Sequence, residues 1–304
     1  MPTPESAPTL PATEAVSPRY RDMDRWPPGD VLLAMWEGQM AAVAAVRSAL
    51  PAIESAVAAA LPRLERGGRL IYAGAGTSGR IGVQDGAELP PTFDWPEDRL
   101  VLLMAGGDTA FTRSIENAED DRDAARRDVA QHAIGPDDVA LGVAASGSTP
   151  YTTTVIAESA QRGALTIGIA NSPGGALLSS AAHGILLETG SEAIAGSTRM
   201  KAGTAQKVVL NLFSSLVMVR LGRIHRGLMV DMNARNAKLR LRAERMLRDL
   251  TGSDDQHVRV ALQASGGRVK TAVLVLRGLD RAAAEALLAR HGGHLHAALA
   301  ELGA

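Results

Sequence analysis

Gly74 to Phe93 reads GAGTSGRIGVQDGAELPPTF, and the fold follows from how this stretch is read. It opens on glycines and small hydroxyl residues, the composition of a turn whose backbone can approach a phosphate, and ends with Glu88 pressed against Leu89-Pro90-Pro91. Just upstream, Arg69 to Ala73 is a short apolar run that reads as a strand, so the glycines sit at its carboxyl end. Four further runs, Leu100 to Ala105, Val139 to Ala144, Leu165 to Ala170 and Ile185 to Glu188, alternate with helical stretches. That alternation predicts an α/β fold, a doubly wound five-stranded parallel sheet flanked by helices on both faces. Ligands of such sheets lie beyond the carboxyl ends of the strands.

Gly74-Ala75-Gly76-Thr77-Ser78-Gly79 satisfies the G-x-G-x-x-G spacing, which alone is a weak sign of a dinucleotide site. A nicotinamide site also wants an acidic residue closing the second strand. Here Pro96-Glu97-Asp98-Arg99 precedes that strand, and Asp108 follows it behind Gly106-Gly107. The loop after the third strand has the same flavour, Ala145-Ser146-Gly147-Ser148-Thr149-Pro150. The amides around Gly76, Thr77, Ser78, Gly79 and Gly147, the hydroxyls of Ser146, Ser148 and Thr149, and the positive ends of the following helices make a nest for a phosphate monoester. The competing reading is that each Ser or Thr caps its own helix. Two such turns at neighbouring strand ends favour a sugar phosphate. Ser78 and Ser146 are each followed by glycine, so neither forms a G-x-S-x-G nucleophile elbow.

Around this centre, residues 1–21 read as a flexible arm, with five prolines among Ser, Thr and Ala in the first 18 positions. Residues 22–66 read as N-terminal helices: Val43, Val46, Leu50, Ile53, Val57, Leu61 and Leu64 recur at helical spacing, and Pro51 should break the run. The α/β domain spans 67–225, with helices expected over Thr109 to His132, Pro150 to Arg162 and Gly203 to Leu221. The last is apolar around much of its circumference, which suits a buried helix or a subunit interface; a homodimer is expected. Residues 226–304 read as a small helical subdomain, with one basic helix from Asn233 to Leu250 and three or four short ones punctuated by Gly266-Gly267, Gly278 and Gly292-Gly293.

Composition narrows the function. The 304 residues carry 32 basic and 33 acidic side chains, a formal net charge of −1, so no global field favours nucleic acid or an anionic membrane. There is no cysteine, which excludes disulfides, thiolate metal sites and a cysteine nucleophile. No apolar run is expected to reach the length of a membrane span, and no secretory leader is recognisable; a soluble cytoplasmic protein with no membrane partner is expected. The basic helix, with Arg235, Lys238, Arg240, Arg242, Arg245 and Arg248, is balanced by Glu244 and Asp249 and reads as a solvated or interfacial face rather than a nucleic-acid surface. His291, His294 and His296 suggest a metal cluster only superficially, because Gly292-Gly293 opposes the helix that would align them.

Three candidate regions stay open on the residues alone. Glu119 lies in an acidic run with Glu116, Asp120, Asp121 and Asp123, which reads as a solvated face, a metal set on Glu116, Glu119 and Asp120, or a catalytic carboxylate. Arg199 and Lys201 could neutralise a phosphate or carboxylate or form structural ion pairs. Glu192 reads as a substrate contact or a capping carboxylate. Glu88 has fewer structural duties, being a carboxylate in a Gly/Pro-framed loop.

The phrases GAGTSGR, DGAELPPTF, ENAEDD, AASGSTPY, ANSPGGAL, GSTRMKAGTAQKVVLN, MVDMNARNAKL and HGGHLHAAL together resemble the N-acetylmuramic acid 6-phosphate etherases, members of the sugar isomerase (SIS) superfamily. The resemblance runs from about Asp22 to the carboxyl end and is most specific over Gly196 to Lys207. It implies a SIS-type sheet with a UBA-like carboxyl-terminal subdomain, and cleavage of the D-lactyl ether without metal or organic cofactor. It implies Glu88 and Glu119 as the catalytic pair, with the chain after the phosphate turn curling so that Glu88 reaches the reacting carbons. A non-catalytic sugar-phosphate sensor and a SIS-type aldose-ketose isomerase are the alternatives; the presence of both carboxylates favours the etherase. The first twenty residues and Ser148 depart from the family pattern.

Overall fold

A computed structural model of the chain describes residues 11–232, 234 and 237–303. Its contacts gather into two compact units, one of residues 1–86 and 98–213, the other of residues 87–97 and 214–304.

The first unit opens with two helices, α1 (Pro28–Ala45) and α2 (Leu50–Glu65), joined by a 3-10 turn over Val46–Ala49. Pro51 falls in the first turn of α2, where a missing amide hydrogen costs nothing, so it ends one helix and starts the next. Five parallel strands follow: β1 (Leu70–Gly74), β2 (Leu100–Met104), β3 (Val139–Ala144), β4 (Leu165–Ala170) and β5 (His183–Leu186). The first and last are displaced slightly from their expected ends. Interleaved along the chain are α3 (Gly76–Ala87), α4 (Leu89–Phe93), α5 (Arg122–Gln131), α6 (Pro150–Gln161), α7 (Ala176–Ser180) and α8 (Lys201–Arg220), of which α4 and the last turns of α8 belong to the second unit.

Spatially the strands run β2-β1-β3-β4-β5. After β1 the chain winds to one side and then returns to place β3 on the other, so the turns leaving β1 and β3 are neighbours; the register pairs Gly74 with Val143. Alternate residues point to opposite faces. Ile71, Ala73, Ala140 and Ala144 join Val129, Tyr151, Val155 and Ile156 in one apolar core, while α2 packs against β3, β4 and β5. At the opposite end of the strands Arg69 holds Asp138, with Nη2 to Oδ2 at 2.7 Å and Nε to Oδ1 at 3.0 Å.

Three expectations are corrected here. Thr109 to His132 is not one helix: 3-10 turns cover Asp108–Phe111 and Ala118–Asp120, and α5 starts only at Arg122, where the Asp121 side chain accepts from Ala124 N. Asn117, in the left-handed region at φ 59°, interrupts any continuous helix. The arm is packed where it is described: Thr13 is buried beside Ser172, and its carbonyl accepts from Gly196 N at 3.1 Å. Positions 1–10 lie outside the described residues. Finally, Pro28–Glu65 and Lys201–Arg220 are long and apolar enough, by length and composition, to cross a membrane. In α8 that apolarity fills a core, where Val209, Leu210 and Phe213 are buried.

The second unit is helical apart from the short antiparallel pair β6 (Ile224–His225) and β7 (Leu228–Met229). Helices α9 (Ala237–Thr251), α10 (Asp255–Ala264), α11 (Val269–Leu276), α12 (Arg281–Arg290) and α13 (Leu295–Glu301) enclose their own core of Val230, Leu247, Val258, Val269, Leu274 and Leu287. The cap after α9 is Asp254, which accepts from Gln256 N and His257 N. Arg235 and Asn233, counted in the expected basic helix, lie outside the described residues.

Candidate active site

The site of the first unit lies where β1 and β3 end. Gly74 and Gly79 approach so closely that a Cβ on Gly74 would lie 2.7 Å from Gly79 Cα; glycine at both ends lets α3 start immediately after the strand. The first turn of α3 then carries Thr77, half-buried, and Ser78, buried. In the β3 turn, Ser146 Oγ accepts from Ser148 N at 3.2 Å, and Thr149 stands at the N-cap of α6 without making a side-chain cap bond. Among the described residues none partners the Thr77, Ser78 or Thr149 hydroxyls. Simple helix capping therefore does not account for them. Gly147, at φ 71°, meets Gly175 of the β4 turn, where a Cβ would fall 2.7 Å from Gly147 Cα.

Beside the β1 turn is a cavity of about 230 Å³. Gly76 and Arg80 form one wall, and Arg113, Glu116, Asn117 and Glu119 of the loop after β2 form another. Glu119 is exposed in its 3-10 turn. It is thus brought beside the β1 turn by a loop, not by the helix expected from the sequence.

Glu88 is also exposed, at φ −82° and ψ −12°, between α3 and α4, with Pro90 in the first turn of α4. The stretch does not curl. Gly76–Ala87 is one continuous helix of about 18 Å, and Glu88 is the residue after its last turn.

Of the cations, Arg199 is exposed. Lys201 is half-buried and its Nζ donates to Thr189 O at 2.7 Å; burial lowers its pKa, partly countered by Glu192. Glu192 is buried and accepts from Lys201 N and Ala202 N, each at 2.9 Å, which makes it the cap of α8.

Two groups gave no sequence signal. Asp85, buried in α3, is held by Tyr72 Oη at 3.2 Å and Lys207 Nζ at 3.3 Å. Arg80 donates to the carbonyls of Ala110, Phe111 and Arg113. In the second unit, His291 pairs with Glu301 at 2.6 Å and His296 lies 6.2 Å from His225, ring centre to ring centre.

The five-stranded parallel sheet with its hydroxyl-rich turns at the β1/β3 switch is of the SIS class, and family models agree: the glucokinase regulatory protein N-terminal SIS domain matches residues 52–160 and the SIS domain matches residues 120–216. A phosphoheptose isomerase from Francisella tularensis is 20% identical at a TM-score of 0.49, covering 64% of this chain and all of that one. Far greater similarity joins the chain to the N-acetylmuramic acid 6-phosphate etherases of Deinococcus radiodurans, 50% identical with 95% of each chain covered, and of Streptomyces coelicolor, 48% identical with 95% and 93% covered. The chain belongs to the N-acetylmuramic acid 6-phosphate etherase family.

Proposed function

We propose that the protein, a carbon-oxygen lyase, cleaves the D-lactyl ether of N-acetylmuramic acid 6-phosphate to N-acetylglucosamine 6-phosphate and D-lactate, in catabolism of cell-wall amino sugars. Beyond family membership, one observation carries this reading: two turns with unpartnered hydroxyls meet at the strand switch, and the cavity beside the first contains a carboxylate, Glu119. The turns suit the 6-phosphate, through their amides, Thr77, Ser78, Ser148 and Thr149. Arg199 adds a cation for the phosphate or for the lactate carboxylate, and Lys201, committed to Thr189, acts through its charge alone.

In the ring-opened sugar the C2 hydrogen is acidified by the C1 aldehyde. A carboxylate takes that proton, the C3–O bond breaks as the ether oxygen gains a proton, and water adds at C3 of the unsaturated aldehyde. Two groups are needed, one basic and one acidic. Glu88 takes the C2 proton or protonates the leaving oxygen, and Glu119 activates the water.

The length of α3 shapes how Glu88 serves. From Gly79, the last residue of the phosphate turn, about 13 Å of helix leads to Glu88, more than one hexose phosphate spans. We therefore assign Glu88 to the sugar held by a second copy in a homodimer. Support for a dimer comes from α1, whose Leu32, Leu33, Trp36, Met40 and Val43 are exposed, Trp36 by 60%. A phosphorylated substrate fits a cytoplasmic protein, and the two structural units fit a SIS domain with its helical subdomain.

The match to a glucokinase regulatory protein domain keeps one rival, a non-catalytic sugar-phosphate sensor. Incubation of the purified protein with N-acetylmuramic acid 6-phosphate separates them: D-lactate should accumulate, and should fall by about 10²-fold or more in Glu119→Gln. No D-lactate from the wild type would sink the proposal.

A further inference from the structure

The loop from Gly106 to Asp121 places Glu119, yet it contains little regular structure beyond two 3-10 turns, and most of its residues are exposed. Segments of this kind open at low free energy unless tied down. Buried Ala110 is one tie. Ala118, packed against the apolar core of the first unit, is a second, and Arg80, one helical turn into α3, is a third: its Nε donates to Ala110 O at 3.1 Å and Phe111 O at 3.2 Å, and its Nη2 to Arg113 O at 3.1 Å.

We infer that Arg80 is a positioning residue, a fork that fixes the loop bearing Glu119 against the helix that holds the phosphate. The inference rests on the etherase reading. A cation at a phosphate turn would ordinarily be assigned to the phosphate. Here its Nε and Nη2 are given to three carbonyls, and two of these, on Ala110 and Arg113, belong to residues that line the cavity leading to Glu119. Only a planar guanidinium presents several donors at fixed angles; an ammonium carries the charge without the fork. Since one wall is α3 itself and the other is the loop that Arg80 binds to it, the fork sets the distance between the anchored phosphoryl group and the carboxylate that acts farther along the sugar.

The test compares Arg80→Lys and Arg80→Ala with the wild type in D-lactate release, in inhibition by inorganic phosphate, and in hydrogen exchange of amides 108–119. A positioning role predicts that kcat falls on the order of 10²-fold in both, as for other small misplacements of a catalytic group. KM and the phosphate inhibition constant should stay within about threefold, and exchange at 108–119 should accelerate. Retained phosphate inhibition shows that each variant is folded. A tenfold loss of phosphate affinity with kcat preserved, or wild-type kinetics in Arg80→Lys, overturns the inference. If the wild type releases no D-lactate, the etherase reading fails; unchanged exchange at 108–119 then overturns the fork as well, and accelerated exchange upholds it.

Discussion

Gly79 illustrates how little room single residues leave at the phosphate turn. A Cβ there would fall 2.7 Å from Gly74 O. Gly79→Ala is therefore expected to cost about 1–3 kcal/mol through overpacking, read as a lower denaturation midpoint, together with a raised KM. Asp138 gives a second test away from the site. Burial pushes its carboxyl up, but hydrogen bonds from Arg69 and the Gly135 amide outweigh this and hold it below the ordinary carboxylate range. A depressed carboxylate contributes stability above its unfolded pKa, near 3.9, and loses it as pH falls through the folded value. Asp138→Ala should cost roughly 3 kcal/mol at neutral pH, and the cost should shrink in acid; a pH-independent penalty would contradict the assignment. The hydroxyl-rich turns are legible in the sequence because glycine and small hydroxyl residues mark them locally. Arg80, Asp85 and Lys207 were not, since their partners lie far away in sequence and only the fold brings them together.

Secondary structure was readable wherever period and punctuation agreed. The five strands and α6 emerged nearly within their expected bounds because apolar runs end at glycine or proline. The stretch from Thr109 to His132 failed: its acidic composition is compatible with a helix, and a left-handed Asn117 leaves no mark in the sequence. The long extent of α3 was missed for the opposite reason, as Gly82 and Gly86 argue against a helix. Both glycines face the sheet, and a Cβ on Gly86 would lie 2.8 Å from Leu102 Cδ2. In the β6/β7 hairpin, His225 is buried with no partner for Nε2 among the described residues, and burial, with Arg226 and His296 nearby, lowers its pKa. The unfolded chain then binds more protons than the folded one, so stability falls as pH drops below about 6.5. Replacing His225 with Leu should flatten that dependence of thermal unfolding between pH 7 and 5; an unaltered slope would exclude His225 as its source.

At the scale of the whole molecule, the two carboxylates are implied by family resemblance, and the unbroken helix that runs from the β1 turn to the residue before Glu88 is not marked in the sequence. In the proposed homodimer each copy binds one phosphate and lends its Glu88 to the other. Mixing Glu88→Gln with Glu119→Gln chains, each inactive alone, and assaying D-lactate after subunit exchange tests that arrangement directly. A heterodimer then has one site with both carboxylates intact, so random exchange should restore about a quarter of wild-type activity. No recovery, with exchange verified, would mean that both carboxylates act within one chain.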